Sequence, residues 1–304
     1  MAHFYTSQTY VDASARLNEA CEWLHGIGID YSRTRFGQYK RIFAYLAKCQ
    51  LANAIDDFFE RHTFAEWVNA AHETAQLVRI YEGFRNNNDL GLTSRLRDAL
   101  RGHELYVLDN DDRSGRDFTF ELSVAAKFAR HGYPVDFGAD ADVQTVVNDV
   151  TFFVECKRLK SERKTQKRIK EGLKQLHRRY VTSRNPRATR GILALSIGKT
   201  INSSLGLLEA EDAPSLGQQA FQHNANFIEK YRNYWQANTD PRTLGIFVVL
   251  DTPGMLRPEK KLVTVHEAAM NNVIPMGTEG YRLLLKVSHD IFSKRIDSSK
   301  ASPE

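Results

Sequence analysis

Two short strands and a tight turn within residues 141–157 constrain the fold of this chain more than any other segment. The turn falls at Asn148 and Asp149, residue types that favour tight hairpin turns. With a two-residue turn, counting outward along both strands places Asp142 directly opposite Glu155. Facing carboxylates repel each other and destabilise a sheet, so a folded chain that keeps them needs a cation between them.

A lysine follows this pair of acids. Next to the turn we expect Val147 to pair with Val150, which fixes the register of the hairpin. Lys157 lies two residues after Glu155, so both side chains point to the same face of the strand. Two facing acids and an adjacent lysine are the components of a divalent-metal hydrolytic site.

Positive charge is concentrated just after this hairpin. Between Lys157 and Arg190 there are fourteen Lys or Arg residues and only two acids, Glu162 and Glu171. That segment carries a net charge of +12 while the whole chain carries +5, so the remainder is net negative. A localised basic segment is the electrostatic footprint of a protein that binds a polyanion, and we expect nucleic acid as the partner.

The rest of the composition is that of a globular protein. The 304 residues suffice for one large domain or two smaller ones, and 42% hydrophobic residues can fill a core. No apolar run is long enough for a transmembrane helix, and no secretory signal is evident, so we expect a cytoplasmic protein without a membrane partner. The cysteines are Cys21, Cys49 and Cys156; they form no CxxC pair and predict neither zinc nor disulfides.

The chain changes character near residue 108. Residues 1–107 are predicted to form a helical N-terminal domain, with a capping box at Thr63 and Glu66. The polar segment 108–115 is the predicted boundary, residues 108–297 the second domain, and 298–304 a disordered tail. Helices are expected over 13–24, 39–59, 64–81, 93–100, 117–130, 162–182 and 218–235.

Strand patterns alternate with helices in the second domain. The predicted strands are 133–137, 141–147, 150–159, 191–197 and 244–250, with 262–265 and 282–287 as further candidates and a turn at 251–254. The predicted fold class is α/β of the mixed α+β kind, a mixed β-sheet flanked by helices and preceded by an all-helical N-terminal domain.

A third acid lies on the preceding helix. Glu121 shares a helical face with Val124, Ala125 and Phe128, and a buried carboxylate there needs a partner or a metal. Alternatively, the apolar stripe is slightly rotated and Glu121 lies at its solvated edge. Glu155 and Lys157 also have an alternative interpretation, in which they form an exposed ion pair at a fraying strand end.

In this order, the elements resemble the PD-(D/E)xK nuclease superfamily. The resemblance rests on a helix with Glu121, a strand with Asp142, and a second strand with Glu155-Cys156-Lys157. It covers roughly residues 115–200, and alanine stands where proline commonly precedes the aspartate. It implies a restriction-endonuclease-like sheet and a metal-dependent nuclease.

The resemblance also implies roles for these residues. Asp142, Glu155 and the backbone carbonyl of Cys156 would bind Mg²⁺ or Mn²⁺, cations that prefer oxygen ligands. Glu121 would bind a second metal directly or through water. Lys157 would orient or deprotonate the attacking water and stabilise developing charge.

The helix after the hairpin is expected to meet the substrate. Some members of the superfamily carry a catalytic glutamine on this helix, which makes Gln175 a candidate, although its spacing from Tyr180 is one residue too long. A merely solvated basic helix is the alternative. Phosphate contacts are expected from Arg158, Lys160, Arg163, Lys164, Lys167, Arg168, Lys170 and Lys174.

The functional expectation is therefore a metal-dependent nuclease that hydrolyses phosphodiester bonds. DNA is favoured over RNA because most similar proteins act on DNA, and stand-alone nucleases of this kind often resemble restriction or anti-phage effectors. Two alternatives stay open. One is a nucleic-acid-binding protein that does not cleave; the other is a partner-binding subunit of a defence or repair complex. The helical N-terminal domain could also support a homodimer.

Overall fold

The computed structural model describes residues 4–5, 9–87, 89–109, 115–138, 141–258 and 261–292. Ten α-helices and one eight-stranded sheet lie in these ranges. The helices are α1 (Tyr10–Gly26), α2 (Arg35–Leu51), α3 (Ile55–Arg61), α4 (Phe64–Phe84), α5 (Leu90–Ala99), α6 (Gly115–Arg130), α7 (Thr165–Thr182), α8 (Gly198–Ile201), α9 (Ala213–Gln236) and α10 (Glu279–Phe292).

The sheet is mixed, which confirms the predicted mixed α+β class. Its strands are β1 (Phe4–Tyr5), β2 (Val135–Asp136), β3 (Val143–Val147), β4 (Val150–Arg158), β5 (Thr189–Ser196), β6 (Leu208–Ala210), β7 (Thr243–Leu256) and β8 (Lys261–Asn272). The order across the sheet is β1-β8-β7-β5-β4-β3-β2, and β6 adds to β7. Strands β4, β5 and β7 are parallel, while the outer pairs are antiparallel.

The β3–β4 hairpin has the predicted register. Val147 pairs with Val150 across a two-residue turn. Asn148 and Asp149 both adopt positive φ, at 49° and 62°, as a hairpin turn with matching twist requires. The ladder ends where Val143 pairs with Val154, so residue 142 lies one position beyond it.

Helices cover both faces of the sheet. One face packs on α7 and α9 through a cluster that includes Leu193 and Leu176. The other face packs on α4, α6 and α10, and its cluster runs from Phe152 in the sheet through Phe128 and Leu77 to Leu17 in α1. Because this cluster is continuous from the first helix to the sheet, the predicted boundary near residue 108 does not separate two cores.

A buried ion cluster ties the N-terminal helices to α6. Glu73 of α4 accepts from Arg35 Nε at 2.9 Å and from Arg116 Nε, and all three side chains are buried. Arg35 also reaches Thr119 Oγ1 at 3.1 Å. Burial alone would raise the pKa of Glu73, but the two guanidinium groups outweigh it and lower that pKa to about 2.

A second buried cluster joins α4 to the sheet. Asp251 of β7 accepts from Arg79 Nη2 at 3.0 Å and pairs with His266 Nδ1 at 2.7 Å. Burial alone would raise the pKa of Asp251, yet the arginine and the imidazole hold it well below its usual range.

The predicted turn at 251–254 was wrong, since β7 continues to Leu256. Pro253 lies between the part of β7 that pairs with β5 and the part that pairs with β6. On this side of β7 its missing N–H therefore interrupts no ladder of hydrogen bonds.

Other differences from the predictions have local causes. The helix expected over 39–59 is two helices, separated where Asn53 adopts a φ of 53°. The candidate strand 282–287 lies within α10 instead. The capping box at Thr63 and Glu66 is confirmed, and the tail 298–304 lies outside the described residues. Within the described ranges, none of the helices combines the length and apolarity that a membrane span needs.

Replacing Glu73 with Gln should destabilise the protein by about 3–5 kcal/mol, because two buried guanidinium groups lose their shared carboxylate. Urea denaturation at pH 7 measures this change. The difference should shrink as the pH falls from about 4.5 towards about 2, where the wild-type carboxylate is itself protonated. Glu229→Gln, which removes an exposed ion pair with Arg232, should leave the unfolding free energy unchanged. Equal stability of E73Q and E229Q would contradict the role of the cluster.

Candidate active site

Strand β4 delivers Glu155 and Lys157 to the sheet face that α7 covers. Their neighbours on β5 are Leu193 and Leu195, which belong to the core under that helix. Helix α7 comes close because it has glycine at position 172, where a Cβ would lie 3.2 Å from Cγ of Lys157 and 2.5 Å from a methyl of Leu193. Both site residues are buried, so the exposed ion pair at a fraying strand end is excluded.

Asp142 reaches the same place from β3. Its Oδ2 accepts from the backbone N–H of Cys156 at 2.7 Å, which holds the carboxylate against the end of β4. Two guanidinium nitrogens of Arg95 donate to the backbone carbonyls of Asp142 at 2.8 Å and Ala141 at 3.0 Å. A side chain of α5 in the N-terminal region therefore fixes the start of this strand.

The Lys157 ammonium lies among the groups that were predicted to bind metal. Its Nζ is 2.9 Å from the carbonyl oxygen of Cys156, 3.5 Å from Asp142 Oδ2 and 3.8 Å from Glu155 Oε2. The side-chain cation thus supplies the charge that two adjacent acids require. These three oxygens are also the hard ligands that Mg²⁺ or Mn²⁺ would use.

Glu155 is the most constrained acid of the three. It is fully buried, and its Oε1 accepts from Arg179 Nε of α7 at 3.0 Å. Its Oε2 is buried and has no hydrogen-bond partner among the described residues. Burial and the neighbouring Asp142 carboxylate raise the pKa of Glu155 to about 7, against the opposing effects of Lys157 and Arg179.

Glu121 is buried on α6 and meets an arginine that also holds this arrangement. Its Oε2 lies 3.4 Å from Arg95 Nη1, the same guanidinium that holds the backbone of Asp142. Glu121 is therefore not at a solvated edge, and it connects to Asp142 through an arginine. Its predicted role as a ligand of a second metal stays a prediction.

The donor set fits one hard cation more closely than two. Among the described residues, no group of three or more His, Cys, Asp or Glu side chains is placed to hold a metal ion. What the site offers is two carboxylates, Asp142 and Glu155, together with the carbonyl of Cys156. The buried Oε2 of Glu155, which has no hydrogen-bond partner among the described residues and only a 3.8 Å ion pair with Lys157, is the oxygen that a bound cation would satisfy.

Two further predicted residues flank this arrangement. Burial raises the pKa of the Cys156 thiol well above its usual range, so the thiol stays protonated, and Cys156 contacts the site through its backbone N–H and carbonyl. Gln175 lies one turn before Arg179 on α7, and its Oε1 is buried without a hydrogen-bond partner in the described part of the chain. The hydroxyl of Tyr180 forms a hydrogen bond with Thr243 Oγ1 at 3.1 Å.

The basic residues predicted to bind phosphate divide into two groups. Arg158 and Lys160 face inward: Arg158 is buried against Asp109 and Lys160 lies 3.2 Å from Asp117. Both side chains already pair with acids of the chain, and their predicted phosphate contacts stay predictions. Arg168 is half-buried and pairs with Glu171 at 3.1 Å. The exposed basic residues of this region are Arg163, Lys164, Lys167, Lys170 and Lys174.

Sequence reasoning missed Arg95, Arg179 and Gly172. Arg95 lies far from the hairpin in the sequence, so no local pattern connects it to Asp142. Arg179 was counted as part of the basic segment 157–190, although its position four residues after Gln175 places both on one helical face. That spacing is the signal that could have identified it.

Comparison with known proteins adds no relative: no family model, no curated protein and no solved structure matches this chain.

Replacing Lys157 with Met should destabilise the metal-free protein by about 1–3 kcal/mol at pH 8, because two adjacent carboxylates lose their cation. Since the pKa of Glu155 is raised from 4.5 to about 7, its ionisation already costs stability as the pH rises through that window. The loss in K157M should therefore be larger at pH 8 than at pH 5.5. Urea denaturation in EDTA measures it, with the exposed Lys174→Met as control. An equal loss at both pH values would mean that only packing of the side chain matters.

Proposed function

We propose that this protein is a Mg²⁺- or Mn²⁺-dependent nuclease that hydrolyses phosphodiester bonds, with DNA as the favoured substrate. The observation that carries the proposal is the meeting of Asp142, Glu155 and Lys157 at the end of a buried strand pair. Buried acids in such an arrangement are costly to a fold, and a catalytic role explains why they are kept.

Asp142, Glu155 and the backbone carbonyl of Cys156 would hold the cation. A bound Mg²⁺ or Mn²⁺ supplies Lewis-acid polarisation of the scissile phosphate and lowers the pKa of water. Because the pKa of Glu155 is about 7 without metal, ion binding requires this carboxyl to lose its proton. Arg179 keeps Oε1 of Glu155 oriented while leaving Oε2 free of hydrogen bonds.

Lys157 has the position for proton transfer and charge stabilisation. Its ammonium lies within 4 Å of both acids and has a buried stem against α7. With a cation held by the two carboxylates, the Lys157 amine would be available to orient the attacking water and to stabilise negative charge on the phosphate. Arg95 acts on this chemistry indirectly, through the backbone of Asp142.

The exposed cations of α7 and the turn before it would bind the substrate. Arg163 and Lys164 precede the helix, and Lys167, Lys170 and Lys174 follow along its solvent side. Neutralisation of phosphates by such a surface is independent of base identity. The same helix carries Arg179 and Gly172 on its inner side, so one helix connects the proposed substrate surface with the acids of the hairpin.

The arrangement of elements supports a restriction-endonuclease-like fold for this part of the chain. A helix with Glu121 precedes a hairpin with Asp142 and Glu155, and α7 then leads to the parallel strand β5. A restriction or anti-phage effector is the biological setting that we propose, with the N-terminal helices as a surface for a partner or a second copy. A cytoplasmic location accompanies this proposal.

Incubating the protein with plasmid, single-stranded DNA or RNA in Mg²⁺, Mn²⁺ or EDTA tests the activity. We expect cleavage with either metal and none in EDTA. Asp142→Ala and Lys157→Ala should each lower the rate by about 10²-fold or more, because each removes a group that acts in the transition state.

The matched control for these substitutions is Asp136→Ala, an exposed acid on the neighbouring strand β2. Cleavage that survives the D142A and K157A changes would overturn the site. Binding without cleavage under every condition would favour the alternative, a nucleic-acid-binding protein that does not cut.

Substitution of Arg163, Lys167, Lys170 and Lys174 by Ala should weaken nucleic-acid binding at all sequences and flatten its salt dependence. The slope of log K against log salt should fall by about 0.9 for each phosphate that the variant no longer neutralises. Fluorescence anisotropy over a salt series measures the slope. The control removes the same charge from the N-terminal helical region, through Ala at the exposed residues Arg33, Arg41, Lys48 and Arg61. Equal effects of both variants would mean that net charge alone drives binding.

A further inference from the structure

A small polar cavity lies on the sheet face opposite the acids, where β4 and β5 end beneath α4 and α6. Its volume, about 20 Å³ for the centre of a water molecule, is enough for one water or one ion of similar size. Its polar lining residues are His72, Gln76, Tyr106, Arg116, Ser123, Arg158, Ser196 and Asp251.

His72 presents an N–H group to this cavity. Its Nε2 lies 3.3 Å from the amide nitrogen of Gln76, which can only donate, so the ring nitrogen must accept and Nδ1 carries the proton. Burial lowers the pKa of His72 to about 4, so the ring stays neutral and keeps this tautomer. Nδ1 is buried and has no hydrogen-bond partner among the described residues.

Two arginines add donors of the same kind. Arg116 Nη1 and Arg158 Nη2 are also buried and have no hydrogen-bond partner in the described part of the chain. His72, Arg116 and Arg158 are each more than nine-tenths buried. Buried donors almost always have a hydrogen-bond acceptor. Here three donors without an acceptor belong to residues that line one small cavity, which indicates that the cavity holds an acceptor.

The local charge favours an anion over a water as that acceptor. Arg116 shares its carboxylate, Glu73, with Arg35, so this buried cluster holds two cations and one anion. The acid on the cavity wall, Asp251, is already matched by Arg79 at 3.0 Å. A water accepts few hydrogen bonds and brings no charge, whereas a monatomic anion accepts from all three donors and offsets the excess cation.

We propose that this cavity binds a monovalent inorganic anion of chloride size. The ion would bridge α4, α6 and β4 through His72, Arg116 and Arg158, and so stabilise the packing of the helices on the sheet. This site lies on the far side of β4 from Glu155 and does not depend on the proposed nuclease activity.

Bromide is the probe that locates the ion. Crystals of the full chain grown in sodium bromide should show an anomalous peak in the cavity at the bromide absorption edge. In solution, melting temperatures in sodium chloride and sodium gluconate at equal ionic strength should differ, because gluconate is too large to enter. We expect chloride to raise the melting temperature by about 2–4 °C at tenfold the dissociation constant.

His72→Phe removes the Nδ1–H donor while keeping a ring in the site, and it should at least halve the difference between the two salts. His25→Phe, an exposed histidine of α1, is the control and should keep the full difference. If H72F does not fold, the wild-type measurements still decide. Equal melting temperatures in both salts and no bromide peak in the cavity would overturn the proposal and leave water as its content.

Discussion

Burial of Glu155 beneath α7 is the constraint on which the surrounding arrangement depends. A carboxylate with no exposure needs compensation, and the protein provides it from two elements. Lys157 comes from the same strand and Arg179 from the helix above. Asp142, which the backbone N–H of Cys156 holds close by, adds to the cost. The compensation is incomplete, since the pKa of Glu155 remains raised to about 7 and one of its oxygens stays without a hydrogen bond. That residual cost is what a divalent cation would relieve.

The same principle links the N-terminal helices to the sheet. Glu73 is balanced by Arg35 and Arg116, and Asp251 by Arg79 and His266, each time with partners from separate elements. Removing one member of such a cluster leaves uncompensated charge in a low-dielectric interior, so the helices and the sheet are energetically coupled. The helical region therefore belongs to the structural support of the site, and Arg95 extends that support directly to Asp142.

Local patterns predicted the elements that carry strong local signals. The Asn148-Asp149 turn was sufficient to set the hairpin register, because a two-residue turn leaves one pairing. Patterns failed where long-range pairing overrides propensity. Pro253 is typical of a turn but lies within β7, and the short apolar segment 282–287 was a candidate strand but lies in a helix.

The residues of the candidate site also divide into those that local patterns predict and those that only long-range contacts position. The sequence alone determined that Asp142, Glu155 and Lys157 meet, because hairpin register and strand periodicity are local properties. It also determined that basic charge follows them. Only the tertiary structure decided which cations reach solvent, since Arg158 and Lys160 neutralise acids that lie about forty residues or more away in the chain. It also decided that Arg95 and Arg179 hold the site in place. Such contacts depend on how helices dock on the sheet, and docking is set by the whole core and not by the spacing of neighbouring residues.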